Sequence, residues 1–240
     1  MPIEAIPDHV AAAVPAIEAA AARWIDHLGG GWLAPAWEVP GGGFATRQAR
    51  FAGGAKLELL EPRSEDGFAA RFLARHGAGV HHVTLKVPAL LPAVATLEDA
   101  GLDLVDVSAE GDVWHEAFLR PSQVGGLIVQ VAWARYGDEA WAAYHGATPE
   151  QPRADAARLL GPRLAHPDLE QAARVWRLLG AEVTRDGELL TVRWPGSPLD
   201  IEVVAGERAG PLGVRMAGTA MAGTAPLPAD ERYGPAVLVA

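Results

Sequence analysis

The sequence predicts an α+β fold of three related β-α-β-β-β modules: two paired in a curved eight-stranded sheet around a cleft, and a third, degenerate copy. Two observations carry this expectation. A His stands five residues before a Val-Pro pair at His9 (Val14-Pro15) and again, 73 residues on, at His82 (Val87-Pro88). A third copy, Gly161 to Pro167, keeps the Pro at the same offset with Gly161 in place of His. The second observation is a set of apolar strands with one polar residue at the centre: Leu57-Glu58-Leu59, Val129-Gln130-Val131 and Ile201-Glu202-Val203. Their polar residues are spaced 72 and 72 positions apart. An internal period of this length marks repeated supersecondary units, and it decides the fold before any motif does.

The elements follow in order. Residues 3–14 read as a strand and Val14 to His27 as a helix that Pro15 can begin, with Ile17, Ala21, Trp24, Ile25 and Leu28 on one stripe. Gly29 to Gly31 end it. Pro35, Pro40 and Gly41 to Gly43 make a loop or weak hairpin with one strand near Trp37, before strands Phe44 to Phe51 and Ala55 to Leu60. A short helix, Gly67 to His76, precedes the second module: strand Val80–Val87, helix Leu90 to Ala100 stopped at Gly101, and strands near Leu104–Val107, Trp114–Leu119 and Gly126–Val131. Residues 135–157 are polar, broken by Pro149 and Pro152, and helical over Asp138 to Tyr144. The third module has helix Leu169–Leu179 and strands near Glu182–Arg185, Leu189–Trp194 and Asp200–Val204. A strand at Leu212–Met216, a Gly/Ala/Pro-rich tail and a last apolar run from Ala236 to Val239 complete the chain. The domains read as 1–134 (paired modules), 135–157 (linker) and 158–240 (third module and tail).

Composition narrows the function. Half of the 240 residues are hydrophobic, so a full core is within reach. No apolar run approaches the roughly 20 residues that span a bilayer, and the start of the chain does not resemble a signal peptide, so a cytoplasmic protein without a membrane partner is expected. A net charge of −10 argues against nucleic acid, whose binding rests on Lys and Arg at phosphates. Without cysteine, any metal is held by His, carboxylate or amide oxygen.

Strand parity separates the adjacent histidines. His81 shares a face with Val83 and Leu85 and reads as a helix-facing core residue, while His82 shares the other face with Thr84 and Lys86 and looks into the cleft. A His from the first strand and a polar residue from the last strand of each module would converge there. Trp114 and His115 are candidates to line the cleft. Arg47, Arg50 and Arg120 are candidates to hold an anionic substrate, with solvated strand faces the plainer reading.

The stretches Lys56 to Pro62, Gly79-Val80-His81-His82, Phe118 to Pro121 and Gly125 to Gln130 resemble the vicinal oxygen chelate superfamily. That superfamily includes glyoxalase I, bleomycin-resistance proteins and extradiol dioxygenases; the motifs look most like its methylmalonyl-CoA epimerase branch. The resemblance covers residues 3–133. It implies a divalent metal ion (Zn, Ni, Co, Mn or Fe) held by His9, Glu58, His82 and Gln130. It also implies a lyase or isomerase of the glyoxalase/epimerase type that acts on a small carbonyl or thioester compound by enolate stabilisation. In the epimerase and glyoxalase I the fourth position is commonly a glutamate that also serves as base. Gln130 cannot take a proton, so the catalytic base falls to Glu58 or to His115. The alternative is a non-catalytic binder like the bleomycin-resistance proteins; an extradiol-type dioxygenase is the weaker rival, because its carboxylate would occupy the Gln130 position. The unpaired third module would leave an open half-sheet, which leads to an expected homodimer.

Overall fold

The computed structural model describes residues 1–218, 221 and 225–240. The first module comprises β1 (Ile6–Ala13), α1 (Ile17–Ala21) continuing as a π-helical segment (Ala22–His27), β2 (Gly31–Trp32), β3 (Trp37–Glu38), β4 (Phe44–Arg50) and β5 (Lys56–Pro62). Helix α2 (Phe68–His76) leads to the second: β6 (Gly79–Lys86), α3 (Leu90–Asp99), β7 (Leu104–Ser108), β8 (Trp114–Leu119) and β9 (Ile128–Ala134). Helix α4 (Asp138–Tyr144) precedes the third: β10 (Arg158–His166), α5 (Leu169–Leu178), β11 (Glu182–Asp186), β12 (Leu189–Arg193) and β13 (Asp200–Ala205). The chain closes with β14 (Gly210–Ala217) and β15 (Val237–Val239). Part of the expected Gly/Ala/Pro-rich tail, residues 219–220 and 222–224, lies outside the described residues.

The strands form two sheets. One has nine strands, in the order β2-β4-β5-β1-β6-β9-β8-β7 with β3 also on β4; the other has six, in the order β11-β12-β13-β10-β14-β15. The ninth strand of the first sheet comes from an interrupted edge. Gly31 and Trp32 pair with Arg50 and Ala49, and Trp37 and Glu38 pair with Thr46 and Ala45. Pro35, which has no N–H to give the ladder, sits between the two pieces.

In each module the first and last strands run parallel in the same register: Ala11 opposite Glu58, Thr84 opposite Gln130, Arg163 opposite Glu202. His9, His82 and Gly161 each stand two residues before the first member of these pairs. The repeat seen in the sequence is therefore a repeat of ladder geometry, and it places His9 and His82 on the face that carries the polar residue of the last strand.

The described chain divides into two compact units. One consists of Met1–His9, His82–Arg135 and Gly161–Leu212. Helix α3 buries Leu90, Ala93, Val94 and Leu97 in it, and α5 buries Leu169, Ala172, Ala173, Val175 and Trp176. Trp176 meets Trp194 edge to face at 6.0 Å, and the Trp194 indole N–H donates to Leu179 O at 3.0 Å, so both large rings are packed and the polar end of Trp194 is satisfied. The stretch before β1 is not strand as the sequence suggested, because the Ile3 N–H donates to Leu178 O at the end of α5.

The other unit consists of Val10–His81, Tyr136–Leu160 and Gly213–Ala240. Its core centres on Trp24, fully buried and edge to face with Phe51. The tail is fastened to this helix: the Trp24 indole donates to Tyr233 O at 2.7 Å, and the buried Arg23 guanidinium donates to Pro228 O and Pro235 O and lies over the Tyr233 ring. Residues 150–157 also pack on the first module, through Glu150 N–H to Trp32 O, Arg153 N–H to Gly29 O and Ala157 N–H to Leu28 O. Gly29 has φ +78°, and a side chain there would meet Ala156 Cα at 2.9 Å, so the close of the first helix needs glycine. Among the described residues no helix is long and apolar enough to cross a membrane.

Candidate metal centre

Alternation along β1 and β6 turns His9 and His82 inward, 2% and 5% exposed, with ring centroids 5.7 Å apart. Glu58 occupies the matching place on β5 opposite Ala11, and the Gln48 amide, opposite it on β4, donates to Glu58 Oε1 at 3.2 Å. One ligand atom from each of His9, Glu58 and His82 lies within 4.8 Å of the others. Three of the four predicted ligand positions thus converge.

The fourth, Gln130, belongs to a closed chain of polar contacts. Lys86 Nζ lies 2.8 Å from Asp8 Oδ1, and the other Asp8 oxygen lies 2.7 Å from His9 Nδ1. His9 Nε2 is 2.9 Å from Thr84 Oγ1, and the Thr84 hydroxyl donates to Gln130 Oε1 at 2.5 Å. The Gln130 amide N–H donates to Glu116 Oε2 at 2.7 Å, and the Trp114 indole N–H donates to the same oxygen at 2.8 Å. The Lys86 ammonium sits 6.0 Å from the centroid of the Trp114 ring, so the chain returns to its starting point.

The set His9, Glu58 and His82, two imidazoles and a carboxylate, fits a divalent cation of borderline hardness. Asp8 engages His9 Nδ1 and Thr84 Oγ1 lies 2.9 Å from Nε2, so Nε2 would exchange its hydroxyl contact for the ion when acting as a ligand. A carboxylate on the far ring nitrogen is the usual support for a metal-binding histidine.

The other candidates stand elsewhere. His115 alternates to the opposite face of β8 from Glu116; its ring packs on Trp133 at 4.7 Å and its Nε2 is 2.8 Å from Gly111 O. The structure does not bring it to Gln130. His81 is buried against Phe68 and Phe72 of α2. Burial pushes its imidazole down to about 4, with the Glu58 charge opposing the shift and His76 adding to it. Arg47 and Arg50 are not on solvated faces. Arg47 donates to Ala34 O and stacks on Trp32 at 4.1 Å, and Arg50 pairs with Asp138 and Glu139. Arg120 is exposed near Asp103.

Sequence reading passed over Asp8 and Glu116. Asp8 adjoins His9 and was open to inference as its support. Glu116 was not, because its position two ladder steps from Gln130, opposite Ala132, depends on the β8–β9 register.

Comparison with known proteins agrees with the fold. Residues 8–118 match the family model for the glyoxalase/bleomycin resistance protein/dioxygenase superfamily. The ethylmalonyl-CoA/methylmalonyl-CoA epimerase of Cereibacter sphaeroides is 34% identical over 129 residues, which are 52% of this chain and 94% of that one. The chain belongs to that superfamily. The human mitochondrial methylmalonyl-CoA epimerase is 33% identical over 132 residues, 53% of this chain and 73% of its own. Among solved structures, the methylmalonyl-CoA epimerase of Mycobacterium tuberculosis superposes over 55% of this chain and 89% of its own with a TM-score of 0.50 at 25% identity. A Staphylococcus aureus protein described only as hypothetical covers 99% of this chain and 100% of its own, with a TM-score of 0.69 at 9% identity, which extends the likeness in fold to the whole chain.

Proposed function

We propose that this protein is a metal-dependent isomerase or lyase of the glyoxalase/epimerase type, acting on a small carbonyl or thioester compound such as the acyl-CoA esters named for its relatives. One observation carries the reading: the ligand atoms of His9, Glu58 and His82 gather within 4.8 Å. His9, His82, Glu58 and the Gln130 amide oxygen would hold the ion. When bound, a divalent ion supplies Lewis-acid polarisation of a substrate carbonyl and so favours the enolate.

The protein groups do the rest. Asp8 orients the His9 ring by its contact with Nδ1. Glu58, held by the Gln48 amide, has the only carboxylate in the cluster and is the group to move the α-proton. The place of His115 on the other face favours Glu58 for that work. The homodimer is part of the same proposal, and gel filtration at micromolar concentration checks it.

Elemental analysis of the purified protein should find one divalent metal per chain, lost in the His9→Ala/His82→Ala double variant. The metal-loaded protein, given methylmalonyl-CoA in deuterium oxide, should exchange the α-proton, followed by NMR. A second reading is favoured by Gln130 itself, whose amide cannot accept a proton: a protein that binds such a ligand without turning it over. A protein without stoichiometric metal and with no deuterium uptake would favour that alternative, a metal-free binder.

A further inference from the structure

We propose that Glu116 is a positioning residue of the metal centre, fixing the Gln130 amide with its oxygen turned toward Thr84 and His9. The inference rests on the metal reading of the centre. An amide side chain has two ends of similar shape and opposite chemistry: the oxygen can bind a cation, and the NH₂ only donates hydrogens. A half-turn about the last torsion would convert Gln130 from a ligand into a group that repels the ion. Something must select the end.

The selection comes from the far side of the amide. A carboxylate accepts hydrogen bonds and gives none, so the group 2.7 Å from Glu116 Oε2 has to be the Gln130 NH₂. Glu116 is itself anchored, since the Trp114 indole can only donate, at 2.8 Å to that same oxygen. With the NH₂ committed, Oε1 is left for the inner side, where the Thr84 hydroxyl meets it at 2.5 Å and His9 Nε2 lies 2.9 Å from that hydroxyl. Glu116 and Trp114 share one face of β8, and Gln130 lies on the same face of β9, so the contact follows from the ladder and not from a loose surface side chain.

The experiment is a calorimetric titration of the full-length protein with Co²⁺, with the visible absorption spectrum of the bound ion recorded in parallel. Glu116→Ala should bind roughly tenfold more weakly than the parent, with an altered spectrum, as loss of a support behind a ligand does. Glu116→Gln retains an acceptor oxygen and should restore binding to within about threefold and return the parent spectrum. If Glu116 acts through Gln130, adding Glu116→Ala to Gln130→Ala should change affinity by less than about twofold. Trp114→Phe, which keeps the ring and loses the anchoring N–H, should weaken binding in the same direction by about threefold, so the test survives if Glu116→Ala does not fold.

A Glu116→Ala protein that binds Co²⁺ like the parent with an unchanged spectrum overturns the proposal and leaves the metal reading intact. Equal losses in Glu116→Gln and Glu116→Ala also overturn it, because charge and not the hydrogen bond would then be the cause. A parent protein that takes up no stoichiometric Co²⁺ removes the metal reading itself.

Discussion

The third module has the same ladder register as the first two and none of their chemistry. At the place of His9 and His82 it has Gly161, with φ +130°, where a Cβ would stand 1.9 Å from Asp200 O. At the place of Ala11 and Thr84 it has Arg163, whose Nε and Nη2 reach Glu202 at 2.7 and 2.5 Å. The backbone of β13 has closed over the position of the missing imidazole, and an internal cation has taken the carboxylate that would have faced it. Helix α5 begins with its own N-cap Asp168 accepting from the Gln171 N–H at 2.9 Å, whereas the N-cap residues Ala16 of α1 and Ala89 of α3 offer no side-chain acceptor, and the Ile17 N–H of α1 turns to Glu61 Oε2 at 2.8 Å. The degenerate copy thus has an Arg163–Glu202 ion pair beside the place where the paired copies have their histidines. The two paired copies keep buried imidazoles and a carboxylate together, and His9 and Glu58 offset the cost of burying polar groups through hydrogen bonds to Asp8, Thr84 and Gln48.

Restoring histidine to the third module is the severest way to break this contrast. Gly161→His should destabilise the fold by at least about 3 kcal/mol in a urea titration, because both the positive φ and the approach of Asp200 O oppose a side chain. It should add no second equivalent of bound metal. A stable variant with a second equivalent would show that ligand loss, and not strand closure, separates the copies.

A second test exchanges the residue just before each of these positions, His81 in the second module and Leu160 in the third. The folded His81 titrates at about 4 against an unfolded value of 6.5. Between those values the unfolded chain takes up a proton that the folded one refuses, so stability declines as pH falls through that window, by up to roughly 3 kcal/mol. Above pH 6.5 the group contributes no pH dependence. His81→Leu should flatten this part of the curve, read as urea midpoints from pH 7.5 down to 4. An unchanged slope would assign the pH dependence elsewhere.

Arg163→Ala should have the smallest effect. Arg163 and Glu202 are 34% and 16% exposed, so separating them should reduce stability by about 1 kcal/mol by the same urea assay. Metal content should stay at that of the parent. A second metal bound at the released Glu202 would make the pair the lock on a hidden site.

Much of this was written in the order of residues. The 72-residue spacing of Glu58, Gln130 and Glu202 depends only on period-2 alternation and module length, both local properties, and the ladders reproduce it. The adjacent histidines separated by parity alone, His81 going to the Phe68 and Phe72 rings and His82 to the face of Thr84. Element positions were legible for the same reason, and Trp114–Leu119 and Asp138–Tyr144 match residue for residue. The split edge strand at Pro35 and the late start of β1 were not, because each depends on a partner distant in the chain.

What the sequence determined by itself was the repeat, the face on which each histidine lies and hence the class of the fold, since alternation and helical periodicity act between near neighbours. Tertiary structure alone decided the contacts around the predicted ligand set. Glu116 found Gln130 across the β8–β9 ladder, Asp200 O filled the space beside Gly161, and His115 turned to the other face. Those outcomes depend on strand register and on separations of a few ångströms, set when long-range pairing fixes the sheets.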